Sequence, residues 1–301
     1  MAIQRISNMS LFNTTIRDVT NTQVNLFNLQ QQISSGIKSR DFKGLNGQVE
    51  QFVGLEVKIN KVDMYLENNQ TTTARLQTVN KSLDSIIDIT DAIEDLMVAA
   101  RNPGTAPDLN FVQQVQDKLK GIADSMNITF EGRYLFSGTR TNVKPVPTVP
   151  VPNSEFGVPD ANYYEGSDVS TTQRVDDDID ITFPVRGDDP AFMELFASVN
   201  MAINAYSNNS DDGMKAAIDL VQGAQDKLNA VQGRVNSTVL NIDQIKDRQT
   251  QLKLYWTGVV ENVSKTDIVA ATSKVANDQA VLQASYQVFA RLVQLKLSDF
   301  L

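Results

Sequence analysis

Apolar residues recur at every seventh position in both halves of the sequence, a spacing typical of helices that pack as coiled coils. In the first half they form two columns: Phe12, Val19, Leu26 and Ile33, and then Val79, Ile86, Ile93 and Ala100. In the second half they form three columns. The first, broken once by Gln249, is Val221, Leu228, Val235, Ile242, Gln249, Trp256 and Val263; the others are Ile268, Val275, Leu282 and Phe289, and Tyr286, Val293 and Phe300. A strict seven-residue stripe predicts long helices that supercoil around one another.

The distribution of proline predicts where these helices are interrupted. All nine prolines lie between Pro103 and Pro190, so both flanks lack the residue that most reliably breaks a helix. The segment "RNPGTAPD" (101–108) predicts a turn, with Asp108 as the N-cap of the next helix. That helix has an apolar inner face of Phe111, Val115, Leu119, Ile122 and Met126. A further helix is predicted over residues 212–263.

Between the helical flanks the sequence favours β-structure. Three segments rich in aromatic or β-branched residues are bounded by Gly, Pro or Asp and are predicted as strands: Gly132–Thr139, Ala161–Ser167 and Ile179–Val185. The predicted fold is mainly α, a long antiparallel coiled-coil bundle formed by the N- and C-terminal halves with a small inserted β domain. Three parts are predicted: terminal arms (1–42 plus 265–301), a helical bundle (43–130 plus 191–264) and an outward-facing β domain (131–190).

The two arms carry more apolar surface than one helix pair can bury. The last segment, "SYQVFARLVQLKLSDFL" (285–301), is apolar almost all the way round, whereas one seam takes two positions in seven. We therefore expect the arms to pack against further copies or unlike partners, and to become helical only on assembly. The predicted subunit-interface residues are Phe12, Val19, Leu26, Ile33, Ile268, Val275, Leu282, Tyr286, Phe289, Val293, Leu297 and Phe300.

Composition argues against several classes of protein. The chain has 27 Lys and Arg against 36 Asp and Glu, a net charge of -9, and no basic stripe for nucleic acid. Its longest apolar run, "LMVAA" (96–100), is far shorter than the roughly 20 residues of a membrane span. It has neither His nor Cys, which removes the commonest general base and zinc ligands. We therefore expect no enzymatic activity, no cofactor and no metal.

Three local motifs have plain interpretations. The acidic run Asp176–Asp180 lacks the glycine and terminal glutamate of a calcium loop, and predicts a solvated turn before a strand. The glycines of "GLNGQVEQFVG" (44–54) match no phosphate-binding motif and predict a flexible joint. The first residues contain no compact apolar stretch followed by a cleavage site, so a cleaved secretory signal is not expected.

The two ends resemble a known family. "QQQISSGIKSRDFKGL" (30–45) and "SKVANDQAVLQASYQVFARLVQLKLSDFL" (273–301) resemble the bacterial flagellin family of axial proteins, and Ile33–Gly36 corresponds to its Leu-Ser-Ser-Gly segment. Within that family, "GRYLFSGTRT" (132–141) followed by "YYEGS" (163–167) is most similar to the hook-filament junction branch, the third hook-associated protein.

The resemblance implies a structural subunit outside the cell, exported through the flagellar type III channel without a cleaved signal. Its terminal helices would lie together in the inner tube, and the β insertion would face outward. The implied function is an adaptor ring that joins hook to filament by lateral self-association and axial stacking. The implied partners are further copies, the hook-side adaptor protein, flagellin and an export chaperone. The alternatives are a flagellin that polymerises into the filament and a cytoplasmic coiled-coil scaffold.

Overall fold

The computed structural model describes residues 2–38, 49–102, 110–147, 158–159 and 161–298. Helices dominate these residues, which confirms the mainly α fold. In chain order the elements are α1 (Ala2–Ser35), α2 (Val49–Ala100), α3 (Phe111–Met126), β1 (Thr129–Phe130), β2 (Arg133–Tyr134), β3 (Thr172–Asp176), β4 (Ile179–Thr182), α4 (Pro190–Ser207), α5 (Asp211–Ser264) and α6 (Ile268–Ser298).

The chain divides into two compact units. One consists of Met1–Asn60 with Leu252–Leu301, and the other of Lys61–Gln251. The three-part division drawn from the sequence remains a prediction. Within the described residues, none of the helices has the length and apolar character of a membrane span.

The predicted heptad columns form the core of the Lys61–Gln251 unit. Val79, Ile86 and Ile93 of α2 are completely buried, and so are Val221, Leu228, Val235 and Ile242 of α5. The inner face predicted for α3 is confirmed, since its five residues are buried in the same core. Asp108 lies outside the described residues, and Asn110 is the N-cap of α3. Periodic apolar positions therefore located the core correctly.

Side-chain hydrogen bonds between α2 and α5 show how the two helices lie against each other. Four pairs connect the helices: Gln222 to Glu94, Gln225 to Asp91, Gln232 to Asp84, and Asn80 to Asn236. Successive pairs are separated by three, seven and four residues on both helices. The residue numbers rise along α5 while they fall along α2. The two helices are therefore antiparallel and keep one register along this ladder.

The inserted region contains two short antiparallel hairpins, β1–β2 and β3–β4. The predicted strand over Ala161–Ser167 is wrong, because this segment forms turns. Its tyrosines turn inward: the Tyr163 hydroxyl donates to the Gly187 carbonyl over 2.8 Å, and the Tyr163 ring lies 4.5 Å from that of Phe196. The aromatic residues that suggested a strand serve instead as core side chains.

The other two strand predictions hold over part of their length. Only Arg133 and Tyr134 of the segment Gly132–Thr139 are in a strand, and the chain then turns through Gly138 at φ +60°. A Cβ atom at Gly138 would lie 2.4 Å from the Ser167 carbonyl oxygen, so this close approach of two backbones requires glycine. Ile179–Thr182 forms β4, and its partner β3 was not predicted.

The acidic run forms the tip of the β3–β4 hairpin. Asp177 accepts hydrogen bonds from Tyr65 and Lys61, and these lower the pKa of its carboxyl group. Asp176 pairs with Arg248 at 2.8 Å. The run is a turn between strands whose carboxylates pair with side chains of α2 and α5.

Candidate assembly surface of the terminal helices

The two terminal helices α1 and α6 form an antiparallel pair with one narrow seam. The residues covered along the seam alternate in steps of four and three, as coiled-coil core positions do, and all but one of them are only half-buried. In α1 they are Thr15, Val19, Thr22, Leu26, Leu29 and Ile33; in α6 they are Ala271, Val275, Asp278, Leu282, Ser285 and Phe289. The pair therefore covers one stripe of each helix and no more.

A shallow groove lies along the seam. It has a volume of about 180 Å³ and is lined by Ile16, Val19, Thr20, Tyr286 and Phe289. At its edge the Gln23 side-chain amide donates to the Tyr286 hydroxyl over 2.7 Å. Because four of the five lining residues are large or β-branched apolar or aromatic groups, water in this groove has few hydrogen-bonding partners.

Backbone hydrogen bonds join the end of α1 to the start of α6. Gly36 terminates α1 at φ +73°, and its carbonyl accepts a hydrogen bond from the Thr266 N–H over 2.9 Å. The Lys38 N–H donates to the Ser264 carbonyl over 2.6 Å, and its ammonium group donates to the Val263 carbonyl over 3.0 Å. Asp267 then caps α6 by accepting from the Ala270 N–H. This junction aligns the two helices at one end of the seam.

The outer faces of both helices expose apolar side chains. In α1, Val24 lies on the side of the helix opposite the seam and Phe27 lies roughly a third of a turn from the seam; Phe27 is 59% exposed. In α6, Val281 and Val288 lie beside the seam, each one residue before a seam position, and Val288 is 51% exposed. Apolar side chains grouped on one surface mark a site of interaction more often than scattered ones do.

The surface of this pair is also depleted of charge. Residues 19–37 contain no charged residue, and residues 275–290 contain only Asp278. Solvated coiled coils normally carry charged residues beside the core positions, where they add solubility and select partners. A neutral, partly apolar surface of this length is typical of a helix pair that is covered in its working state.

Comparison with known proteins agrees with this arrangement. The family described as the bacterial flagellin N-terminal helical region matches residues 6–141. A flagellin of Bacillus subtilis (strain 168) is 21% identical over 313 residues, which cover 95% of this chain and 95% of that protein. The chain is therefore similar to bacterial flagellins, most specifically over its N-terminal helical part.

Two solved structures share the fold of this chain. One, from Vibrio parahaemolyticus, is described as a flagellar hook-associated protein; it is 18% identical, with a TM-score of 0.50, covering 71% of this chain and 96% of that one. The other is FlgL of Bacillus cereus, 14% identical with a TM-score of 0.50, covering 65% of this chain and 98% of that one.

The structure places the predicted interface residues in different positions. Six lie in the seam within one chain: Val19, Leu26, Ile33, Val275, Leu282 and Phe289. Tyr286 lies at the groove edge and is 47% exposed, and Ile268 begins α6 and is 50% exposed. The side chains of Phe12, Val293 and Leu297, and the whole of Phe300, lie outside the described part. Their role between subunits remains a prediction.

Sequence reasoning missed half of the seam and all of the outer stripe. Thr22 and Leu29 in α1 belong to the second core column, and a search for alternating steps of three and four would have found them. Val24, Phe27, Val281 and Val288 belong to none of the heptad columns predicted from the sequence. The absence of charge around them is the signal that could have identified them.

Proposed function

We propose that this chain is a structural subunit of the bacterial flagellum that associates with further copies through the outer faces of α1 and α6. The observation that carries the proposal is the incomplete cover of this pair, because one seam is closed within the chain while Phe27 and Val288 stay exposed. Lateral neighbours would cover these residues and provide the apolar burial that the isolated α1–α6 pair lacks.

Within that role, the chain serves as an adaptor that joins hook to filament. The two solved structures of similar fold support this assignment, since one is described as a flagellar hook-associated protein, the other is FlgL, and both are covered almost completely. The proposed partners are further copies, the hook-side adaptor protein and flagellin, with an export chaperone before assembly. The proposed location is outside the cell, on the flagellum.

A filament flagellin is the second candidate. The flagellin of Bacillus subtilis aligns over 95% of both chains, so length and sequence favour it. The two roles differ in whether the subunit propagates. An adaptor ends after one ring, whereas a flagellin forms an open helical contact that repeats without limit.

Deletion of the gene and in vitro polymerisation separate the two candidates. For an adaptor, the deletion strain carries bare hooks and sheds flagellin into the medium, and the purified chain forms no tubes when salted out. For a flagellin, the purified chain forms long tubes, and the deletion strain sheds no flagellin from its hooks. If the deletion strain carries no bare hooks and the purified chain forms no tubes, both flagellar roles are contradicted.

A further inference from the structure

A pair of buried amides lies in the core of the Lys61–Gln251 unit. Asn69 of α2 is completely buried and Gln249 of α5 is 1% exposed. The Asn69 side-chain amide donates to the Gln249 side-chain oxygen over 3.1 Å. Gln249 is the single polar residue in the long heptad column of α5. A polar side chain would weaken a purely apolar seam, but here Gln249 has Asn69 on the facing helix as its hydrogen-bonding partner.

Both amides also bind the same backbone carbonyl. Asn69 Nδ2 donates to the Val175 oxygen over 2.8 Å, and Gln249 Nε2 donates to it over 2.9 Å. Val175 is the bulged residue of the β3–β4 hairpin, because the strand register shifts between Arg174 and Asp176. The bulge turns this carbonyl away from the strand ladder and toward the helices.

The apolar columns cannot specify the register of α2 against α5 by themselves. Both columns repeat every seven residues, so sliding one helix by seven places again sets apolar residues against apolar residues. The buried amides break this degeneracy. A slide of seven in one direction sets Asn69 against Ile242 and Gln249 against Val62, and a slide in the other direction sets Gln249 against Leu76.

Each slipped register leaves a buried amide against hydrocarbon. An unsatisfied buried polar group costs about 1 to 3 kcal/mol, and the Val175 carbonyl would lose both of its donors as well. The ladder from Glu94 to Asn80 adds less discrimination, because half of its residues are exposed and can bind water in any register: Asp84, Asp91, Gln222 and Asn236.

We propose that Asn69 and Gln249 determine the register of the α2–α5 pair and, through the Val175 carbonyl, hold the β3–β4 hairpin on that pair. The two amides are specificity determinants: they exclude the slipped arrangements that the heptad repeat would otherwise allow. This role is independent of the proposed flagellar function.

Cross-linking between introduced cysteines tests the register directly, since the natural chain has no cysteine. Asp84 and Gln232 touch across the helices, so D84C with Q232C reports the native register. D84C with Q225C, or with V239C, reports a slide of seven residues, which moves the helices by roughly 10 Å. A short thiol cross-linker is added to each cysteine pair in three backgrounds.

The leucine background N69L/Q249L removes both amides. We expect it to give slipped cross-links in addition to the native one, and rapid protease cleavage within residues 172–182. The matched control N80L/N236L removes a hydrogen-bonded amide pair at the margin of the same two helices, where Asn236 is exposed, and we expect only the native cross-link there. The swapped background N69Q/Q249N keeps both amides in the core and should also give only the native product.

Three results would overturn the proposal. The first is an exclusive native cross-link with an intact hairpin in N69L/Q249L. The second is slippage in the swapped background. Loss of the helical circular dichroism signal in N69L/Q249L, while the swapped background stays folded in one register, would also overturn it by showing that the amides serve stability and not register.

Discussion

The Gly36 carbonyl accepts a hydrogen bond from the Thr266 N–H over 2.9 Å, so the residue that ends α1 is joined to the residue two places before α6. These residues are 230 positions apart in the sequence, yet their backbones meet because an isolated antiparallel bridge forms between Ile37 and Lys265. The alignment of the terminal helices therefore depends on a backbone conformation at Gly36 that few residues adopt.

Replacing Gly36 with alanine should loosen this junction. At φ +73° a Cβ atom meets no neighbour within 4 Å, so the expected cost is the strain of the left-handed conformation, about 1 kcal/mol. Gly36→Asn is the matched control, because asparagine tolerates this conformation. In assembled flagella, amide exchange at residues 26–35 should accelerate more in G36A than in G36N. Equal exchange in both variants would show that the positive φ is not a constraint.

A charge in the seam should separate the terminal helices without unfolding the rest. Phe289 is half-buried opposite Val19, and Phe289→Asp places a carboxylate in this apolar contact. We expect the thermal transition of the Lys61–Gln251 unit to stay unchanged and incorporation into flagella to be lost. Gln287→Asp adds the same charge at an exposed position of α6 and should leave the α1–α6 pairing intact. Normal incorporation of F289D would show that the seam is dispensable.

A charge on the outer face should block assembly and leave the free chain unaffected. Phe27 is 59% exposed, so Phe27→Asp changes the free energy of unfolding of the monomer by less than about 0.5 kcal/mol. The matched control is Asn21→Asp, which adds the same charge on a different face of α1. We expect co-purification with flagella to fall sharply for F27D and to persist for N21D. Equal recovery of both variants would remove Phe27 from the interface.

Alkaline pH should destabilise the Lys61–Gln251 unit through Tyr164. Burial raises the pKa of the Tyr164 hydroxyl to about 12, against about 10 for an unfolded tyrosine. The fold favours the neutral phenol, so stability is retained below pH 10 and falls as the pH rises from 10 to 12. After solvent screening the loss is about 1 kcal/mol. Chemical denaturation across this pH range should show the loss of stability in the natural chain and not in Y164F. If the free energy of unfolding falls equally with pH in both proteins, Tyr164 is not the cause.

The helical core was predictable because burial there follows a strict period. Val79, Ile86, Val221 and Leu228 lie where counting in sevens puts them, since a coiled-coil seam admits few alternatives. The interruption at Gln249 was visible in the sequence as well. The hydrogen-bonding partner of Gln249 could not be predicted, because the position of the Val175 carbonyl depends on a strand bulge that local propensity does not reveal.

The inserted region was less predictable for a physical reason. Tyr163 and Tyr164 favour a strand by composition, yet their hydroxyl groups donate to the Gly187 and Phe136 carbonyls, and the Tyr163 ring packs against Phe196 of α4. Tertiary packing overrode local preference there. On the terminal helices, apolar repeats indicated a seam but could not show which apolar residues would stay uncovered.

Amide hydrogen exchange of the purified chain at low concentration tests the central claim most directly, because it reports how well each helix is held by its own fold. We expect residues 2–35 and 268–298 to exchange rapidly in dilute solution, while the buried stretches around Ile86 and Leu228 remain protected, and protection of both terminal helices to rise in assembled flagella. Strong protection of both terminal helices in the dilute chain, with no increase on assembly, would contradict the account.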